Sequence, residues 1–307
     1  MPELWKATEG ARAAHEKVLI PRTRDLLMQQ GKDLASVVAA SGSPSSAIAR
    51  AQDRAGRPDV AMDALEQIYR RVVPDFGDAA YAGVVAMKQD HEEISDWKRR
   101  VRSFLLSDGA GMVTAITATT QEKIRDVLRA GVSDGLGVEA LARHLEDEWE
   151  DVSRVRSRRI VRTEVMSASN FGTMEGAREA AERVGLDLQK EWITSRDGRE
   201  RRSHRNADGQ IQDMEDPFEV GGHAARYPGD LSLPADERVN CRCTHGFRPI
   251  TDSAKDWRES RNDAIRSAYP ALKQEQGEWA ALTQLGEQHA LSPHTVRNIV
   301  HQTGHYG

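Results

Sequence analysis

Cysteine is nearly absent: Cys241 and Cys243 are the two in 307 residues. Two thiols make no disulfide framework, and they suit a reducing cytosol better than an oxidising space. Aromatic residues are also scarce, at 5%. No apolar run approaches the roughly 18–20 residues that cross a bilayer, and the mean hydropathy is −0.63, so no membrane partner is expected. The opening stretch MPELWKATEGARAAHEK has no apolar h-region, so export by a signal peptide is not expected. Excess positive charge is missing too. The formal charge of −5 argues against a bulk nucleic-acid coat, which would displace phosphate counterions with a strong basic excess. The 38% hydrophobic content excludes collagen-like and fully disordered chains, and the length suits two or three units at about 100–200 residues each.

What is present is mostly helical pattern. From Pro2 to about Val38, Leu4, Ala7, Ala11, Ala14 and Val18 recur at three and four residues, the stripe of one helix. Ser41–Ser46 (SGSPSS) is a loop by composition, and a second helical run follows. The spacing predicts a helix over Asp59–Val73, ended by Pro74, which suits the first turn of a next helix reaching Leu106. Asp108–Gly111 punctuates, and Thr120–Ala130 is helix before Gly131, Gly135 and Gly137 bend the chain. Near Lys190 the pattern changes: Lys190–Thr194 and Arg238–His245 read as short strands around a stretch rich in turn dipeptides. The expected fold is mainly α with a small α+β core. The expected divisions are a helical region 1–135, a turn-rich domain 136–250, a charged helical linker 251–276 and a C-terminal module 277–307.

Four constellations carry candidate chemistry. The helix Asp151–Glu182 packs Arg154, Arg156, Arg158, Arg159 and Arg162 into its first turns, either as a solvated, salt-bridged face or as a ridge for phosphate or a partner subunit. The stretch Trp192–Gly209 holds two Asx-type turns, at Asp197-Gly198 and Asp208-Gly209, around Arg199 and His204; its plain reading is structural, with Trp192 anchoring the core. In Asn240-Cys241-Arg242-Cys243-Thr244-His245, strand alternation puts Cys241, Cys243 and His245 on one face and Arg242 and Thr244 on the other. The thiols then read as buried small apolar groups, as zinc ligands with His204 and His245, or as a nucleophile paired with His204. Zinc is the cofactor these residues would suit, although C-x-C is not the spacing of a zinc knuckle. Last, Leu282–His301 fits a helix-turn-helix: Gly286 and Ala290 are small, Leu291, Val296 and Ile299 apolar, and Ser292 with Pro293 starts the second helix. His294, Arg297, Asn298 and His301 would project where a DNA-reading helix presents base contacts.

Several of these pieces occur in a family order. Arg162, Thr163, Glu164 and Asn170 come first; Trp192, Asp197, Arg199, His204, Asp208 and Gly209 follow; then Pro228-Gly229; then Asn240, Cys241, Arg242 and Cys243. Over roughly Leu136 to Phe247 the chain resembles the phage Mu protein F-like head morphogenesis family, minor capsid proteins of tailed phages. It departs where that family often has Pro-Gly-Asp-Pro: here Pro228-Gly229-Asp230 is followed by Leu231, and a proline returns at Pro234. The resemblance implies a structural virion protein without turnover. It would be made and assembled in the host cytoplasm and carried in the head interior or at the portal vertex, with portal, capsid or scaffold proteins, and double-stranded DNA, as partners.

Two other classes compete. A metal-dependent nuclease or thiol hydrolase would use His204, Cys241 and Cys243, with Asp197 or Glu164 assisting. A DNA-binding regulator would use Leu282–His301 within a C-terminal piece from Ser253 to Gly307, leaving the preceding 252 residues without a purpose.

Overall fold

The computed structural model describes residues 2–87, 96–250, 252–289, 291 and 293–301, without the side chains of residues 2, 3, 98, 252–258 and 294. The fold is mainly α with a small antiparallel β element. Two compact units divide the chain: one comprises residues 9–76 and 95–172, the other residues 1–8, 77–94 and 173–307.

The first unit is helical. It contains most of α1 (Pro2–Ala39), α2 (Pro44–Ala55), the first part of α3 (Asp59–Ala86), α4 (Trp97–Ser107), α5 (Gly109–Ser133) and the first part of α6 (Val138–Val184). Leu34, Val38, Ala47, Ala51, Ile124, Leu128, Leu141, Leu145 and Trp149 form one apolar core. Trp149 is seated by an Nε1–H bond to the Leu27 carbonyl (2.7 Å), over Gly31, where a Cβ would fall 2.1 Å from the indole. Phe104 stacks between Tyr69 and Phe171, with ring centroids 5.2 and 4.2 Å away.

Four expectations change here. The Ser-rich loop ends at Ser43, whose Oγ accepts from the Ser46 N–H (3.2 Å) and caps α2 with Pro44 in its first turn. Pro74 does not end its helix: α3 continues through it to Ala86. A proline lacks one backbone donor and crowds the preceding turn, a local cost that packing can offset. Beside Pro74, α6 comes close enough that a Cβ on Gly172 would lie 2.5 Å from the Val73 carbonyl oxygen. The expected helix from Pro74 to Leu106 is therefore two helices, α3 and α4, and residues 88–95 lie outside the described residues. Gly131 stays inside α5 against Leu141, and the chain turns at Gly135, at φ 78°.

The second unit has its own layers. The C-terminal parts of α3 and α6 pack through Tyr81, Val84, Val85, Ala177 and Ala180 against Leu188. A three-stranded antiparallel sheet follows, in the order β2 (Ile211–Asp213), β1 (Leu188–Ile193), β5 (Thr244–Pro249). Central β1 pairs Trp192 with His245 and Lys190 with Phe247 on one side, and Lys190 with Gln212 on the other. β3 (Phe218–Val220) and β4 (His223–Ala225) form a hairpin whose two-residue turn, Gly221-Gly222, has φ 59° and 81°, the positive values a primed turn needs. Helices α9 (Asp252–Gln276), α10 (Glu278–His289) and α11 (Pro293–His301) share a core of Ile265, Tyr269, Ala281, Leu282, Leu285, Val296 and Ile299.

The expected strand Arg238–His245 is corrected. Residues 235–238 form a single turn, α8 (Ala235–Arg238), and the strand begins at Thr244. Between them Asn240 adopts φ 56°. That left-handed conformation breaks the two-residue alternation on which a shared face for Cys241, Cys243 and His245 depended; Asn is among the residues that bear it at least cost.

Candidate functional site

The site grows from one end of β1. Trp192, fully buried, exchanges backbone bonds with the segment after the short helix α7 (Arg202–Ala207): its N–H donates to the Gln210 carbonyl (2.9 Å) and its carbonyl accepts from Gly209 (2.8 Å). Gly209 takes φ 79°, which spares a Cβ at this return. Asp208 does not close a local Asx turn as expected. Its Oδ1 accepts from Thr194 N–H (2.9 Å) and its Oδ2 from Arg196 Nε (2.8 Å), tying the end of α7 back to the end of β1.

This closure directs His204 inward. Its ring meets Trp192 edge-on at 5.8 Å and is 2% exposed. Nδ1 lies 3.3 Å from Cys243 Sγ and 3.5 Å from Cys241 Sγ, and both thiols are buried. The Cys243 backbone N–H also points at Cys241 Sγ (3.4 Å). On the far side of the ring, Glu237 Oε2 sits 3.0 Å from Nε2 and accepts from Ser203 Oγ at 2.8 Å. Arg201 fastens the same corner through Nη2–H to the Val239 carbonyl (2.6 Å).

The electrostatics follow from this packing. Burial pulls the His204 pKa down, but the hydrogen bond and negative charge of Cys241 outweigh it and leave the imidazole above its usual value. Hydrogen bonding from Cys243 holds the Cys241 thiol well below its ordinary range; burial opposes this, and His204 reinforces it. The group can therefore act as a thiolate–imidazolium pair or as an N,S,S donor set. His245 is not part of it. On β5 it shares a face with Phe247 (ring centroids 5.1 Å) and lies near Tyr227 (6.5 Å), an aromatic setting fixed by strand alternation, and the cluster of potential ligands comprises His204, Cys241 and Cys243.

Outside this core, Arg242 turns away from the thiols. It grips Asp197 with both guanidinium nitrogens, Nη2 to Oδ1 at 2.9 Å, while Arg199 binds Asp197 Oδ2 at 2.6 Å and donates its N–H to Oδ1 at 3.2 Å. The two guanidiniums, Arg242 first, hold the Asp197 carboxyl far below its normal range. The Arg242 carbonyl accepts from Trp5 Nε1 at 3.0 Å. Sequence reasoning missed Glu237, Ser203, Arg201 and Trp5. Their contacts span 33 to 237 positions of sequence separation, and no local pattern encodes that distance.

The helical motif residues belong to the first unit. Thr163, Glu164 and Asn170 are buried. Asn170 Oδ1 and Ser169 Oγ accept from the buried Arg12 guanidinium (3.0 and 2.7 Å), and Tyr69 OH donates to Glu164 Oε2 at 3.4 Å. Arg162 is exposed, 3.5 Å from Glu16. Arg154, Arg158 and Arg159 are exposed as well, whereas Arg156 is buried on the Thr120 hydroxyl (2.9 Å), and burial pulls its pKa down to about 10. At the C-terminus Arg297 is exposed, and His301 meets Tyr269 edge-on at 6.1 Å with Glu278 3.9 Å from its Nε2. Asn298 is half-buried; the expected N-cap Ser292, Ala290 and the His294 side chain lie outside the described residues.

Comparison with known proteins places these contacts in context. Residues 122–245 match the family described as Phage Mu protein F like protein. Minor head protein GP7 of Bacillus phage SPP1 is 32% identical over 114 residues, 37% of this chain and 36% of that one. A protein of Enterococcus faecalis named NAD(+)–arginine ADP-ribosyltransferase EFV is 32% identical over 123 residues, 40% of this chain and 25% of that one. The uncharacterized protein YqbB of Bacillus subtilis is 25% identical over 164 residues, 52% of this chain and 48% of that one. The chain thus spans between a quarter and about half the length of these curated relatives. No solved structure matches it.

Proposed function

We propose, from the premise that residues 122–245 form a Phage Mu protein F-like domain, that this chain is a minor head protein of a tailed bacteriophage or prophage. Its part is structural: it assists head assembly and the packaging or delivery of DNA, from the head interior or the portal vertex. The observation that carries this reading is the match across that domain, joined by the similarity to a phage minor head protein. The exposed Arg158, Arg159 and Arg162 offer positive charge to acidic portal faces or packaged DNA, contacts that would weaken with salt. The C-terminal helices offer Arg297 to the same partners.

Cross-linking mass spectrometry of purified particles tests this directly, with cross-links to portal or capsid expected. Deleting the gene should lower infectious titre; normal infectious heads after clean deletion would overturn the reading. An enzymatic reading draws on the name of the Enterococcus faecalis relative, of which the match covers 25%. Transfer of ADP-ribose from NAD to arginine by the purified chain would establish it. A nuclease or hydrolase built on His204, Cys241 and Cys243 has a further obstacle, because all three are at most 4% exposed.

A further inference from the structure

We propose that His204, Cys241 and Cys243 bind one zinc ion, which staples α7 to the turn following α8. The inference is independent of the head-protein reading.

Geometry comes first. With Zn–N of about 2.0–2.1 Å and Zn–S of about 2.3 Å, a tetrahedral ion sets its nitrogen and sulfur donors about 3.5 Å apart. His204 Nδ1 stands 3.3 and 3.5 Å from the two sulfurs, and all three donor atoms lie within 4.8 Å of one another. The donors, two thiols and an imidazole, are all buried, and they are the ligand types that suit zinc.

The surroundings add two features of metal sites. A metal-bound histidine usually engages a carboxylate through its other ring nitrogen, which fixes the ring and its tautomer. Glu237 Oε2 stands 3.0 Å from Nε2, within ion-pair reach though not aligned as a hydrogen bond, and is itself held by Ser203 and packed on Gly221, where a Cβ would lie 2.5 Å from Glu237 Oε1. The Cys243 N–H aimed at Cys241 Sγ stabilises a thiolate, the form that binds metal. The C-x-C spacing, unsuited to a knuckle, works here because Asn240 at φ 56° makes the turn beforehand and Arg242 projects outward to Asp197. Three protein donors leave a fourth position for water.

There is also a physical need. Between Ile193 and Thr244 the chain forms elements of only three to six residues, too short to build much core of their own. A cross-link closing 37 and 39 residues offsets part of that deficit. Binding Zn²⁺ expels the protons held by the thiols and Nδ1 to solvent, so no redox partner is involved.

The test is elemental analysis of the purified full-length protein, expressed with added zinc and dialysed against a weak chelator. About one zinc per chain is expected. His204→Asn and Cys243→Ser should each lose at least nine-tenths of it, whereas His245→Asn should keep it, and Glu237→Gln should weaken affinity roughly 10- to 100-fold without abolishing it. Because the ligand variants also risk misfolding, the wild-type protein provides a second readout. Stripped of metal and titrated with cobalt(II), it should develop the intense visible bands of a tetrahedral thiolate site at one equivalent. Absence of both zinc and the cobalt bands, full zinc retention in His204→Asn and Cys243→Ser, or zinc loss from a folded His245→Asn would each overturn the assignment.

Discussion

Lys190 is the residue whose burial has the clearest price. It is 1% exposed on central β1, donates to the Arg226 carbonyl (2.9 Å) and lies 5.0 Å from the Phe218 ring. Burial pulls its pKa down to about 7; Glu215, Asp216 and Asp230 oppose that pull, and Arg178 adds to it. The folded pKa lies below the unfolded one, so the unfolded chain holds the extra proton between about 7 and 10.5. Stability should therefore rise with pH across that window, the cost being greatest below it. At about 1.4 kcal/mol per pH unit the effect is bounded near 5 kcal/mol, and internal relaxation reduces it to a few. Urea unfolding from about pH 6 to about pH 10 should show this rise in the wild type and a flatter profile in Lys190→Met. Asn170 sets the opposite case. Asn170→Leu removes an acceptor from the buried Arg12 guanidinium and should cost roughly 2–3 kcal/mol, read as a lower denaturation midpoint with unchanged slope.

Among the helices, glycine placement shows which contacts are tight. On α6, a Cβ at Gly176 would lie 2.1 Å from the Gly77 carbonyl oxygen of α3, whereas at Gly83 of α3 nothing stands within 4 Å. Alanine gains about 1 kcal/mol over glycine in a helix interior, and forced overpacking costs about 1–3 kcal/mol. Gly83→Ala should thus raise the melting temperature by a few degrees and Gly176→Ala lower it, a pair that separates propensity from packing. The same distinction explains what could be read from sequence. Helical runs were legible because an apolar stripe repeats every three or four residues whatever lies opposite. The continuation of α3 through Pro74 was not, because the proline rule is local and the compensation comes from another helix. The thiol-bearing stretch 240–243 has the composition of a strand but is not one, because one left-handed residue, Asn240, cancels the alternation. Glu237 was invisible because its significance lies wholly in where His204 ends up.

At the scale of the whole chain, the second unit is assembled from three separated segments. Two residues of its first segment reach the site: Trp5 holds the Arg242 carbonyl, and Leu4 Cδ2 comes within 3.1 Å of where a Gly246 Cβ would stand. Removing residues 2–8 should therefore speed limited proteolysis around Arg242 several-fold, measured by mass spectrometry of the fragments, while cleavage within α2 and α5 stays at the wild-type rate.

The Trp5–Arg242 bond also dictates an order of events during synthesis. A ribosome releases residue 5 long before residue 242, so the Trp5 indole must wait for 237 further residues to emerge before it meets this partner. The other unit ends at residue 172 and can close while translation continues. Folding of the thiol-bearing turn is thus a late event, and translational arrest between residues 172 and 242 would yield a chain with one unit complete and the other still lacking the segment that Trp5 binds.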